Sequence, residues 1–501
     1  MLNPSVSVET DGFLAANEHN INGKIKLGLK LTIRGKQVKT KVAILHTNDL
    51  HSHFENFPQI IQLMHDRTQE LERDGYTVLR VDDGDAIDRF EPLTDATSGQ
   101  ANIELLNQIH YHAATIGNNE ALTTSHQELS QLYQQANFPI VLDNVLDRTT
   151  SQAPDWTKPY VDYQLKDQTR VRFMGLTFPY PTFRFMGWQA EPVVPTIQRC
   201  LHDWQGQYDV LVLLSHLGIN QDRHVADQFP EIDVLVGGHT HHLLPHGELR
   251  NHTLLTAAEK WGHYVGEIKL EISDHHVVHQ TARVLPIPAL QPESPAAETV
   301  AKWRRHGREL LAKQEIAELP APVPTSFTDD NPLIQLGLKA VQESIGVDAA
   351  VLNTGLFLRD LPAGTVNMEQ IQSILPHNIH VMKTTLSGYD LWRLMKEMQK
   401  NRNFLIPFPQ KGMGFRGSQF GLLVAAGVHF NEHHQLMWHD HLVNPDQEYT
   451  IGLLDHYQFI PFFPTIDIVG KNHIYFELTL KTVLANYLAR HYPIQGGTHG
   501  S

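Results

Sequence analysis

Two hydrophobic rhythms alternate along the first half of this chain. Short runs of consecutive apolar residues read as strands buried on both faces. Between them, apolar residues recur at three- and four-residue spacing, the mark of amphipathic helices. The first run, Val42-Ala43-Ile44-Leu45, ends in His46-Thr47-Asn48-Asp49-Leu50-His51-Ser52-His53. A helix follows over Phe57–Arg73, with Phe57, Ile60, Ile61, Met64 and Leu71 on one face. The strand Thr77–Val81 then ends in Asp82-Asp83-Gly84-Asp85, a helix covers Ala101–His110, and the short strand Ala113–Ile116 ends in Gly117-Asn118-Asn119-Glu120. Ser125–Ala136 reads as helix, Phe138–Leu142 as strand, Tyr160–Thr177 as a hairpin and Ile197–Gln205 as helix. The strand Val210–Leu214 ends in Ser215-His216-Leu217-Gly218, and Ile232–Val236 ends in Gly237-Gly238-His239-Thr240-His241. Thr253–Thr256 and Tyr264–Ile272 close this half. Five strands thus terminate in His, Asp or Asn with helices between them, which predicts a layered α/β domain with one polar rim, where ligands of open α/β sheets bind.

The rhythm breaks at Leu285-Pro286-Ile287-Pro288 through Pro295 and again at Pro320–Pro324, with a charged helical stretch, Ala296–Glu315, between the breaks. We read residues 1–40 as a polar lead-in with one strand candidate at Ile25–Ile33. Residues 41–285 form the first domain, 286–324 a linker with a helix, and 325–501 a second α/β domain. The second domain opens with a helix over Pro332–Ser344 and a strand over Ala349–Leu352. It ends in aromatic loops (Tyr457–Pro464) and a helix over Leu480–Tyr492. A chain of 501 residues exceeds what one core can organise.

Charge and cysteine content narrow the chemistry. A formal net charge of −15 excludes a protein that reads a nucleic-acid backbone, which needs a basic stripe. Cys200 is the single cysteine, so a metal site must be built from His, Asp, Glu and Asn rather than thiolates. No stretch is apolar enough to span a membrane. Gly12–Ala16 is too short for the core of a secretory signal, so the cytoplasm is the expected compartment. Most of the 32 histidines are solvated surface residues, and His433, His434, His439 and His441 fall in a polar hairpin-like stretch.

Two divalent ions about 3.5–4 Å apart can clamp an in-line displacement at phosphorus. They need a bridging carboxylate among imidazole, carboxylate and amide ligands. The strand ends offer that inventory in Asp49, His51, Asp85, Asn118, His216, His239 and His241. In this order the residues resemble the motifs D-x-H, G-D, G-N-H-[DE], H and G-H-x-H of the binuclear metallophosphoesterases, and more narrowly of the 5′-nucleotidase and 2′,3′-cyclic-nucleotide phosphodiesterase family. The resemblance implies a four-layer α/β/β/α sandwich followed by a 5′-nucleotidase C-terminal domain. It also implies one ion held by Asp49, His51, Asp85 and His241, and another held by a bridging Asp85 with Asn118, His216 and His239. Metal type (Mn, Zn, Co or Fe) does not follow from such ligands.

The chain departs from the motif where the family's histidine is Asn119. The carboxylate that orients that histidine falls near Leu122. An amide can donate a hydrogen bond to phosphate but supplies no charge or proton, as in a bacterial, cytoplasmic-type branch with a Gly-Asn-Asn-Glu motif. By the same resemblance, the second domain binds a small nucleotide through Asn353, Arg359 and the aromatic candidates Phe459, Phe462 and Phe463, with Phe415 as a further one. The implied activity is phosphate release from nucleoside monophosphates. A cyclic-nucleotide phosphodiesterase, a nucleotide-sugar pyrophosphatase and a nucleotide sensor with weakened catalysis are the alternatives.

Overall fold

A computed structural model describes residues 39–412 and 414–494, and the strand candidate at Ile25–Ile33 lies outside them. The strand Thr40–Thr47 lies inside a seven-stranded sheet. It pairs in parallel with Thr77–Asp82 on one side and antiparallel with Tyr264–Ser273 on the other. A six-stranded sheet is built around Val210–His216, which is parallel to both Arg170–Thr177 and Val234–Gly237.

Side-chain alternation along each strand shows how the two sheets stack. Val42 and Ile44 share a core with Leu79, Val81, Val212, Leu214, Val234 and Val236, drawn from both sheets. The intervening Ala43 and Leu45 pack on Phe57, Ile60 and Met64 of the helix Phe57–Arg73. On the far side, Leu211, Leu213 and Leu235 meet Ile197, Cys200 and Val225 of the helices Val193–Asp203 and Ile219–Gln228. The result is four layers, α/β/β/α, and the consecutive apolar runs follow from strands covered on both faces. Because the central strands are parallel, Thr47, Asp82, Ala114, His216 and Gly237 all end at one edge.

The hydrophobic pattern does not reveal the strand His276–Pro286, which pairs with Tyr264–Ser273 across the two-residue turn Asp274-His275. None of its residues is fully buried, and Pro286 ends it at the sheet edge, where a missing N–H costs nothing. A second difference concerns Glu315–Leu319, which lies within the expected linker. It pairs with Gly364–Asn367, turning Ala317 and Leu319 inward. The second half is a five-stranded mixed sheet with Ala349–Asn353 parallel to Glu448–Leu454, flanked by the helices Pro332–Ile345, Gly388–Leu405 and Leu480–His491. The histidine-rich stretch forms a small antiparallel sheet, Val428–Phe430, Leu436–Trp438 and His441–Leu442.

The helix Pro295–Ala312 is packed rather than free. Ser294 caps it by accepting from Ala297 N (3.1 Å), and Arg304 reaches Glu55 (2.7 Å). Its Gly307 lies so close to the helix Pro92–Ala96 that an added Cβ would stand 2.3 Å from Leu93 N. Gly307→Ala is therefore expected to lower the thermal unfolding midpoint by several degrees. Overpacking costs about 1–3 kcal/mol, against the roughly 1 kcal/mol that alanine gains over glycine in a helix. A midpoint that stayed or rose would show that the two helices do not rest on each other this closely.

Candidate metal centre

Each strand leaves its sheet through a tight loop, and the loops interlock. Asp49, His51, Asp85, His239 and His241 all have left-handed backbone, with φ between 46° and 66°. Non-glycine residues hold that conformation only where surroundings enforce it. Here the enforcement is a ladder between the first two loops: Asp49 N to Gly84 O (2.9 Å), His51 N to Asp85 O (2.9 Å) and Ser52 N to Ala86 O (3.1 Å). Gly84, at φ +83°, is pressed against the third loop, where a Cβ would meet Gly117 N at 2.3 Å.

The buried carboxylate of Glu120 binds the second and third loops together. It accepts from Asp85 N (3.0 Å), Ala86 N (2.8 Å), Ile87 N (3.2 Å) and Gly117 N (2.9 Å). Burial, and then the neighbouring Asp85 carboxylate, push the Glu120 carboxyl up to about 7. The fifth loop closes on Asp49, whose carboxylate accepts from His239 N at 3.1 Å and, within the first loop, from Asn48 Nδ2 at 2.8 Å.

Two clusters of metal-type ligand atoms result, Asp49 with His51 and His241, and Asp49 with Asp85 and His216, each with its atoms within 4.8 Å of one another. Asp85 Oδ2 stands between the clusters, 3.7 Å from His51 Nε2 and 3.4 Å from His216 Nε2. His216 turns Nδ1 to the backbone oxygen of Asp83 (2.7 Å), which leaves Nε2 buried without a hydrogen-bond partner among the described residues; Asn118 Oδ1 is in the same condition. Buried polar atoms are seldom left so, and both are ordinary divalent-metal donors. The electrostatics agree. Burial would lower the His216 pKa, yet the carboxylates of Asp85 and Asp49 hold it well above the usual imidazole range. In turn, His216 and His51 keep Asp85 below the carboxylate range against its burial. At His239 burial, and then the neighbouring His216, outweigh the same two carboxylates and lower its pKa to about 4. This donor set fits divalent cations.

Several expected site residues stand differently from the sequence reading. The carboxamide of Asn119 lies against His51 Nδ1 (3.0 Å), donates to Ile87 O (3.0 Å) and accepts from Asn118 Nδ2 (3.2 Å). It is spent on positioning His51 rather than free to donate to phosphate. Asn353 is fully buried, donating to Phe420 O (2.5 Å) and accepting from the Tyr457 hydroxyl (2.6 Å), so it offers nothing to a ligand. Phe463 lies in the core, Phe462 packs on Phe404 and Phe408, and Phe415 is stacked on His377 with centroids 4.9 Å apart. Arg359 is exposed and away from the cavity described next.

That cavity, of about 670 Å³, runs from Asn118 and Asn119 of the first half to the second half. Of the expected aromatics only Phe459 lines it, 56% exposed. Others that line it escaped the sequence reading. Phe185 and Phe476 stack across the two halves (5.3 Å, 14°), and Tyr180 brings its hydroxyl to His239 Nε2 (3.3 Å). Tyr180 carried a usable signal, since it stands three residues past the end of the strand Arg170–Thr177, as Asp85 does past Thr77–Asp82. Phe185, Phe476 and the pair Asp88–Arg416 carried none, being far apart in sequence.

The calcineurin-like phosphoesterase pattern matches residues 42–243, and the 5′-nucleotidase C-terminal domain pattern matches residues 314–458. An uncharacterized metallophosphoesterase of Bacillus subtilis, YunD, is 35% identical over 467 residues, covering 90% of this chain and 100% of the relative. The 5′-nucleotidase of Vibrio cholerae is 22% identical over 70% of this chain and 74% of its own. Among solved structures, Haemophilus influenzae NAD nucleotidase superposes with a TM-score of 0.62 at 16% identity, covering 91% of this chain and 97% of that one. A 5′-nucleotidase precursor from Thermus thermophilus gives 0.54 at 18% identity, covering 92% and 98%. At these identities the structural likeness bears on the fold.

Replacing Glu120 by Gln puts an amide N–H where a backbone N–H now finds an acceptor. The Asp85 loop should loosen, and Mn²⁺ affinity in a calorimetric titration should fall about 10–100-fold, the usual effect of losing a group that supports metal ligands. Unchanged affinity with an intact circular-dichroism spectrum would show that the four hydrogen bonds do not set the site.

Proposed function

The chain belongs to the 5′-nucleotidase family of metallophosphoesterases, which hydrolyse phosphoester bonds, and we propose that it releases phosphate from a nucleotide at a centre of two divalent ions. One observation carries this reading: Asn118 and Asn119, beside the strand-end ligand clusters, line a cavity whose aromatic wall combines Tyr180 and Phe185 of the first half with Phe459 and Phe476 of the second. Asp49, His51, Asp85 and His241 would hold one ion. Asp85, Asn118, His216 and His239 would hold the other. When bound, such ions lower the pKa of water and neutralise phosphoryl oxygens.

The chain's own residues do the rest. The Asn119 carboxamide and the Asp83 carbonyl fix the rings of His51 and His216, so that their Nε2 atoms converge on Asp85. Tyr180 instead holds the His239 ring by its other nitrogen, with the hydroxyl 3.3 Å from Nε2. An attacking water and the leaving oxygen lie on opposite sides of phosphorus in an in-line displacement. The nucleoside, as leaving group, extends toward Phe459, Ile474 and the Phe185–Phe476 stack. A cavity of about 670 Å³ accommodates a molecule of this size. Stacking a base on an aromatic ring is worth about 1–3 kcal/mol in single-stranded nucleic-acid sites, enough to rank phosphate esters.

Phosphate release measured with Mn²⁺ on nucleoside monophosphates and p-nitrophenyl phosphate tests the reading. Nucleotides are expected to be preferred. Phe459→Ala should raise KM for nucleotides about tenfold and leave the small ester nearly unchanged. No preference for nucleotides, or preferential cleavage of 2′,3′-cyclic nucleotides or nucleotide sugars, would overturn the assignment.

A further inference from the structure

The second half carries a polar pair at its own strand ends, in the wall of the cavity. His380 opens the strand His380–Ser387, and Asp455 directly follows the antiparallel neighbour Glu448–Leu454. The backbones meet through Asp455 N and His380 O (3.0 Å), and the side chains through His380 Nδ1 and Asp455 Oδ2 (2.8 Å). Both residues line the cavity of about 670 Å³. The His380 ring also lies 5.1 Å from that of Phe476, which stacks on Phe185. A base resting on that aromatic wall has its edge beside the pair.

Each partner keeps an unused polar atom. A carboxylate only accepts, so it fixes the proton of the neutral imidazole on Nδ1 and leaves Nε2 as an acceptor. No described residue bonds that nitrogen. Asp455 Oδ1 is buried without a hydrogen-bond partner among the described residues. Next along the chain, His456 lines the same cavity, is buried, and has no described partner at either ring nitrogen. Burial lowers its pKa to about 4, so at neutral pH the ring is uncharged and offers one donor and one acceptor. Buried polar atoms are seldom left unpaired, and several in one wall call for a ligand that pairs with them.

The balance of these atoms says which ligand. Acceptors predominate, and the groups of a nucleobase that only donate are its exocyclic amines. We propose that Asp455 and His380 are specificity-determining residues that select a base bearing an amino group beside a ring nitrogen, adenine or cytosine, by accepting the hydrogens of that amine. The neutral His456 ring carries the donor that the adjacent ring nitrogen needs. Hypoxanthine and uracil present a carbonyl oxygen where adenine and cytosine present the amine, so acceptor would face acceptor. A site whose buried polar groups are left unpaired by the wrong ligand rejects it. No bond to either residue forms or breaks, because the pair acts by hydrogen bonding alone. The inference rests on the nucleotide reading of this cavity and adds which bases it takes.

The test uses the full-length, Mn²⁺-loaded protein and compares bases that differ in this group. kcat/KM should be about 10–100-fold higher for AMP than for IMP, and for CMP than for UMP, the discrimination expected of one good base contact. Adenosine should bind more tightly than inosine by a similar factor in a calorimetric titration, a readout that needs no turnover. Asp455→Asn keeps the shape of the side chain but turns an acceptor of the wall into a donor. Its amide N–H stands either in place of Oδ1 or against His380 Nδ1, which moves the ring proton to Nε2. In this variant the AMP to IMP ratio should fall about tenfold or more. The ratio is internal to each protein, so a general loss of activity or stability cancels. Equal kcat/KM for AMP and IMP in the native protein would overturn the proposal. So would a native ratio in Asp455→Asn, because the pair would then only tie two strand ends together. A protein that cleaves no nucleotide yet binds adenosine over inosine through Asp455 would refute the nucleotidase reading and leave this one standing. Nucleotides preferred over p-nitrophenyl phosphate without discrimination between bases would do the reverse.

Discussion

A buried carboxylate holding backbone N–H groups from two loops is the constraint on which the centre depends. Glu120 reaches across from the third strand end and accepts four hydrogen bonds, three of them from the loop that carries Asp85. Charge-assisted bonds of this kind are stronger than neutral ones. They oppose left-handed backbone at Asp85, which costs on the order of 1–3 kcal/mol per residue. Asp85 in turn accepts from Asn119 N (2.7 Å), so the second and third loops fix each other. With Asp85 in place, the positions of His51 and His216 follow through its Oδ2. The glycines on either side belong to the same arrangement: at Gly117 an added Cβ would fall 2.0 Å from Asp85 Oδ1.

The second half meets this centre through polar anchors beside the apolar contact of Phe476 with the first core. Lys481 is buried against Asp95, which also binds Arg89 at 3.0 Å. Burial lowers the Lys481 pKa, and Asp95 opposes that shift. Such a pair adds little net stability, but losing one partner leaves an uncompensated buried charge, so it specifies one docking position. Gln372 donates to the backbone oxygens of Arg89 (3.2 Å) and Phe90 (2.9 Å), next to Asp88. These contacts cluster on residues 88–95, just past the Asp85 loop, so the segment that leaves the metal-type ligands also receives the second half.

Chemistry lost at one position and geometry gained at another are connected here. An amide at 119 cannot carry charge, yet it fits closely between His51 and Ile87 and holds the imidazole that faces Asp49 and Asp85. Leu122, where a carboxylate would orient a histidine, instead contributes apolar wall to the cavity. Asn119 thus positions His51 by hydrogen bonding, and Leu122 lines the cavity by packing.

Much of the fold was legible because it depends on local regularities. Alternation along Val42–Leu45 follows from strand geometry, and helical spacing over Phe57–Arg73 gave that helix to the residue. The ligand positions were legible for a related reason: in a parallel sheet every strand end lies at one edge, so polar residues following successive apolar runs must come together. Edge strands such as His276–Pro286 escaped because half-exposed residues blur the pattern. Which side chains face the cavity was decided only by packing. Asn353, Phe415 and Phe463 have the composition of a binding surface, yet the second core takes them. Asp88 and Arg416 are 328 residues apart, and nothing in either neighbourhood announces the other. Sequence determined which residues could hold metal, since strand ends are a local property. Tertiary structure decided which residues line the cavity, since that surface belongs to neither half alone.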